Sequence, residues 1–303
     1  MNTIRRTQVS LLFLCALLGG QAAAEEKKSQ PTSLDTVRIE RLTGVKGKLD
    51  PSENVFKVSV PRADLSVTVA GVKMIPPMGL TSWAAFVKSG SATQVMGDMV
   101  LLEDQVSPVM DAVLAGGLEV TALHNHFLWD TPRVMFMHIA GQGDEDKLAA
   151  AVGRVFAEIG KTAGGKGQIP KATIDPKKST LDPAPIEAIL GVKGELASGV
   201  YKIAIGRSTT MSGYPLGNTM GINTWAAFAG SDERAVVDGD FVMHEEELQP
   251  VLKTLRQAGI HVVAIHQHMV GEAPQMMFLH YWGVGRMVDL AWGLKSALET
   301  QKP

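Results

Sequence analysis

Six of the chain's eight histidines stand in two copies of one pattern. His124, His126 and His138 lie in ALHNHFLWDTPRVMFMH, and His266, His268 and His280 lie in AIHQHMVGEAPQMMFLH. Neutral imidazole is the commonest protein ligand for a metal ion. Three imidazoles on one ion leave part of its coordination sphere open, the arrangement of catalytic rather than structural zinc. Water in the open position has its pKa lowered to about 7 and becomes a nucleophile or a displaceable ligand. The pattern predicts a divalent metal in each copy. Zinc is the default for imidazole; Mn, Fe, Ni and Cu are the other ions to consider.

Acidic residues recur beside both triads. Asp130 and Glu272 follow the H-x-H by four residues, Asp98 and Asp240 each follow a glycine, and Glu103 and Glu245 are expected to end a strand. Each is a candidate fourth ligand, general base or acceptor that fixes an imidazole tautomer. Asp130 and Glu272, nearest in sequence, are preferred as the catalytic carboxylates. His244 and His261 face Leu102 and Glu119 in the other copy, so they are expected to be structural or surface residues. Met137 aligns with Leu279, which favours core packing over copper binding for the methionines. Trp83 and Trp225 are expected in the core.

The elements that must position the histidines are strands. LEVTALHNHFL and RVMFMHIAG read as an antiparallel pair joined through Trp129 to Pro132. Alternation places His124 and His126 on one face. A turn centred on Thr131 would oppose His124 to His138, His126 to Phe136, and, in the second copy, His266 to His280.

The two copies belong to a longer duplication. PMGLTSWAAF from Pro77 recurs as TMGINTWAAF from Thr219, and the histidines recur at the same offset of 142. About 23 of 61 ungapped positions from Met78 to His138 match their counterparts. Upstream, LTGVKGKL matches ILGVKGEL. Each copy predicts a short helix capped by Asp35 or Asp182 and closed by Gly44 or Gly191. Strands around VFKVSV or VYKIAI, Trp-Ala-Ala-Phe and VMGDMVLL or VVDGDFVM follow. A helix over Gln105 to Leu114 or Glu247 to Arg256, the histidine strands and a closing helix complete each copy. The reading is α+β: two tandem homologous repeats with mainly antiparallel sheets, over residues 25–160 and 181–303, joined by a Gly-, Pro- and Lys-rich linker over 161–180.

Residues 1–24 read as a secretory leader, with Arg5 and Arg6, an apolar run from Val9 to Leu18 and Ala22 to Ala24 before the cleavage point. The product is expected to be exported, to the periplasm or beyond. Leu14 stands before Cys15 where lipoprotein signals carry Gly or Ala, so no lipid anchor is expected, and the single cysteine leaves with the leader. The formal charge of −2 falls to about −4 without Arg5 and Arg6, and no basic block argues for nucleic acid. No later stretch is long and apolar enough to span a membrane.

On GVKGKL, MGLTSWAAF and ALHNHF the chain resembles the LppY/LpqO family of exported bacterial proteins, over essentially the whole mature length. That family name brings no reaction. HNHFLWDTPRVMFMH also resembles the zinc segment of acetolactate decarboxylase, itself a duplicated α+β protein. This second resemblance implies an acetolactate-decarboxylase-like fold, with His124, His126 and His138 as ligands and Asp130 at the matched acidic place. The expected function is an exported metal-binding protein with one three-histidine site per repeat, acting as a hydrolase or lyase on a small oxygen-rich substrate. The alternative is a non-catalytic periplasmic protein that binds metal or a small ligand.

Overall fold

The computed structural model describes residues 33–161 and 169–302; the expected leader and residues 162–168 of the expected linker lie outside them. Each repeat opens on the anticipated short helix. In α1 (Thr36–Thr43) the Asp35 side chain accepts from the Arg38 amide, and the chain leaves through left-handed Gly44. Helices α2 (Glu103–Ala115) and α3 (Glu145–Lys161) complete the first repeat. Its counterpart supplies α4 (Pro183–Leu190), capped by Asp182, then α5 (Leu248–Gln257) and α6 (Met287–Leu298).

Twelve strands form one antiparallel sheet, which makes the fold α+β as expected. Across the sheet they run 47–50, 55–61, 81–89, 92–102, 134–143 and 119–125. The order then continues through 261–266, 276–285, 235–244, 223–230, 200–206 and 195–197. The second half repeats the first in reverse order, so the repeats are two halves of one sheet. They meet at its centre, where the strand Glu119–Asn125 lies against His261–His266.

Period-two alternation gives the sheet two unlike faces. Ser82, Ala84 and Phe86 are buried while Trp83 and Ala85 are half-exposed. One face packs under the helices: Phe86, Met99, Leu123 and Met137 from the first half share a core with Phe228, Phe241, Ile265 and Leu279 from the second. The other face carries two smaller clusters. Val100 and Phe136 gather with Val67, Met74 and Leu80, and Val242 and Phe278 gather with Ile222 and Met276.

Polar contacts seal the seam between halves. The backbone N–H of Val120 donates to Gln249 Oε1 at 3.0 Å, and Gln249 Nε2 donates back to Val120 O at 2.8 Å. Val120 borders an irregularity in its strand, beyond the single ladder pair Leu123–Ile265, so its outward groups would otherwise lack strand partners. Arg256 makes a two-pronged ion pair with Asp111 at 2.9 and 3.0 Å. Ser107 Oγ lies 2.7 Å from His261 Nδ1, giving His261 the structural place expected of it. Gln249→Ala would leave both backbone groups of Val120 unpaired. A loss of about 1–3 kcal/mol is expected, read as a lower urea midpoint.

Candidate metal centres

The histidine strands pair two residues out of the expected register. Ala122, not His124, opposes His138, and His124 opposes Phe136; likewise Ala264 opposes His280 and His266 opposes Phe278. The cause lies in the connection. Asp130–Thr131 forms a short strand with Thr68 and Val69 instead of a tight turn, and Asn125 meets Met135. A shift of two preserves strand parity, so His124 and His138 still share a face as diagonal neighbours. His126 lies past the strand's end and stacks on Phe136, with ring centroids 3.3 Å apart; His268 does the same on Phe278 at 3.5 Å.

In the first half, ligand atoms of His124, His126 and His138 lie within 4.8 Å of one another. Tetrahedral bonds of about 2 Å place ligand atoms about 3.3 Å apart, so the rings would draw together around an ion. His124 Nδ1 lies 3.3 Å from the Asn125 carbonyl, a contact that as a hydrogen bond leaves Nε2 free for a cation. In the second half the compact trio is different: Asp240, His266 and His268. His268 Nε2 is 3.2 Å from Asp240 Oδ2. The His280 ring stands nearly perpendicular to that of His266, and its Nδ1 is 3.3 Å from the Gly239 carbonyl. Both clusters could hold a metal ion. They would do so with different donor sets.

The acidic residues sort clearly. Asp98 opposes His138 and Asp240 opposes His280 on the next strand, each nearly buried. Asp130 and Glu272, preferred on sequence proximity, each accept the backbone amide of the residue four positions on, from Val134 at 2.7 Å and Met276 at 3.1 Å. They brace the connection. Glu103 and Glu245 open helical turns rather than ending strands.

Burial pushes Asp98 above the usual carboxylate range, against the pull of His138, His126 and His124. It lifts Asp240 to about 6, with His280 opposing. Burial also lowers His126, His266 and His268, keeping these imidazoles in the neutral form a metal requires. Among the described residues, the buried side-chain polar atoms lacking any hydrogen-bond partner are Asp98 Oδ1, Asp240 Oδ1 and His266 Nδ1. All three belong to these clusters. Buried polar groups in native proteins are paired almost without exception, so orphans confined to two duplicated sites point to a missing positive partner.

A tryptophan and a lysine flank each cluster. Trp83 opposes Asp98 and Trp225 opposes Asp240. Both tryptophans are half-exposed on the histidine face rather than in the core, with Lys57 and Lys202 stacked on them.

A family model described as Domain of Unknown Function (DUF1259) matches the chain twice, over residues 37–158 and 184–300. The chain belongs to this family. In this DUF1259 protein the matched segments are the two halves of the sheet, each with its own cluster. Among curated proteins none matches. Among solved structures, a trimeric bacterial microcompartment shell protein, PduB, aligns at 11% identity over 84% of this chain and 89% of that one. Its TM-score of 0.18 is too low to carry any argument.

Proposed function

We propose that each half binds one divalent cation, zinc in the first instance, and that the protein is an exported metal-dependent hydrolase or lyase acting on a small oxygen-rich molecule. The carrying observation is the pair of orphaned carboxylate oxygens, Asp98 Oδ1 and Asp240 Oδ1, on residues that lie opposite a histidine of each cluster. Three protein donors per cluster leave a coordination position for water or substrate, which favours catalysis over closed storage. The resemblance of the first motif to the acetolactate decarboxylase segment supports zinc, and the leader and the LppY/LpqO resemblance support export. Among the described residues no helix is long and apolar enough to cross a membrane.

The metal would supply Lewis acidity and a lowered water pKa. The chain's own part follows from geometry. His124, His126 and His138 would hold the first ion, and Asp240, His266 and His268 the second. Asp98, beside the first trio but outside it, is placed to accept a proton from a group reacting there. Its raised pKa brings its basicity closer to neutrality, where a general base works best.

Elemental analysis of protein purified without chelator should find two equivalents of divalent metal per chain. His124→Ala with His126→Ala should reduce this to one. Metal-free protein that binds neither zinc nor cobalt on reconstitution would sink the reading. Metal binding without turnover of ester, lactone and keto-acid panels would leave the non-catalytic binding protein.

A further inference from the structure

Resting on that metal reading, we propose that each centre receives a short dicarboxylate, one end at the cation and the other at a lysine held over a tryptophan. The argument begins from a second duplicated constellation beside each cluster. Lys57 Nζ lies 4.0 Å from the Trp83 ring centroid, and Lys202 Nζ lies 4.2 Å from that of Trp225. These lysines stand at matching places in VFKVSV and VYKIAI, on strands that pair with the tryptophan strands. Residues opposed across a ladder share a face. Trp83, Asp98 and His138 are opposed in turn, as are Trp225, Asp240 and His280, so each row of tryptophan, carboxylate and imidazole lines one face.

Neither lysine makes an ion pair among the described residues, and both are exposed. A cation over an indole face is held in place while its N–H donors stay free for another acceptor. Lys57 also acts electrostatically on Asp98, so its charge reaches the centre. A divalent ion on three neutral imidazoles keeps its full charge. With the lysine it forms two positive points on one face, which selects a ligand with two negative ends.

Spacing sets ligand length. The tryptophan strand and the His138 strand are two strand intervals apart, about 10 Å. A metal–oxygen bond takes about 2 Å of this, and an ammonium–carboxylate hydrogen bond takes about 3 Å. That lateral span suits a short diacid and exceeds the reach of a monocarboxylate. The second cluster includes Asp240, which cancels one charge, so the first should bind more tightly.

The test uses cobalt-substituted full-length protein, whose visible spectrum responds to exogenous ligands, titrated with succinate and with acetate. Succinate should bind at least 10-fold more tightly than acetate. Lys57→Met with Lys202→Met should abolish that preference while cobalt uptake and acetate binding persist, and Lys57→Arg with Lys202→Arg should retain it. Equal affinities in the unmutated protein, or a preference that survives both methionines, would overturn the proposal and leave the metal reading standing. Failure of the unmutated protein to take up cobalt would overturn the metal reading and this proposal with it.

Discussion

His138→Ala should cost the protein one metal equivalent, whereas His280→Ala should leave both in place. Sequence alone makes these residues equivalent, since they are the third histidines of duplicated motifs. The structure does not. His138 belongs to the first compact trio with His124 and His126. In the second half that place is taken by Asp240, and His280 instead lies against the Gly239 carbonyl. The carboxylates should show the converse pattern. Asp240→Asn removes a ligand and should weaken the second site by more than about 100-fold. Asp98→Asn removes only a neighbour of the ligands, a change that typically costs about 10–100-fold in affinity or activity. If Asp98 is the general base, turnover at the first site falls by about 10²–10⁴-fold while the metal stays bound. Metal titrations of the four variants by competition with a chromophoric chelator decide the matter. Equal losses for His138→Ala and His280→Ala would show that both halves use three histidines.

Much of the scaffold was legible because local signals and tertiary structure agree. Asp35 and Asp182 cap the helices they were expected to cap, and Gly44 and Gly191 end them in the left-handed conformation that glycine adopts without strain. The duplication announced a pseudo-symmetric architecture, and alternation around His124 placed the imidazoles on a common face. Register was less legible. It depends on how the connection folds, and the Asp130–Thr131 strand is fixed by a partner some sixty residues earlier, Thr68–Val69. That pairing is long-range and leaves no periodic trace.

Sequence proximity favoured Asp130, whereas Asp98 is the carboxylate that lies opposite His138. Proximity in sequence is a poor guide to proximity across a sheet, where a residue's neighbours come from other strands. Asp98 stands forty positions before His138 yet opposes it directly. The recurring Gly-Asp pair was a usable signal, since both members persist while their neighbours drift. The stacked lysines recur too, in VFKVSV and VYKIAI, but recurrence alone does not say what they face. A lysine in a strand is ordinary until its strand partner places it over an indole.

The metal-free protein should become more stable when Asp240 is replaced by Asn, by a margin that opens above about pH 4 and is nearly complete by about pH 6. Folding raises the Asp240 carboxyl from 3.8 to about 6, chiefly through burial. Between these values the folded chain holds a proton that the unfolded chain has released. Stability therefore falls as pH rises through that window and stays reduced above it. The shift corresponds at most to about 3 kcal/mol; partial solvent screening brings the expected gain on removing the charge to about 1–2 kcal/mol. Asn matches the shape of the protonated carboxyl, so at about pH 3, below both values, the variant and its parent should melt together, and at pH 7.5 the variant should melt a few degrees higher. Saturating metal should reverse the order, because an ion that binds only the folded state stabilises the parent in proportion to the logarithm of its concentration over Kd. A charge kept at a stability cost in the metal-free state and repaid on metal binding is what a ligand carboxylate should show. If Asp240→Asn lowers the melting temperature of the metal-free chain at pH 7.5, the carboxylate contributes native contacts of its own, and its orphaned oxygen no longer argues for a cation.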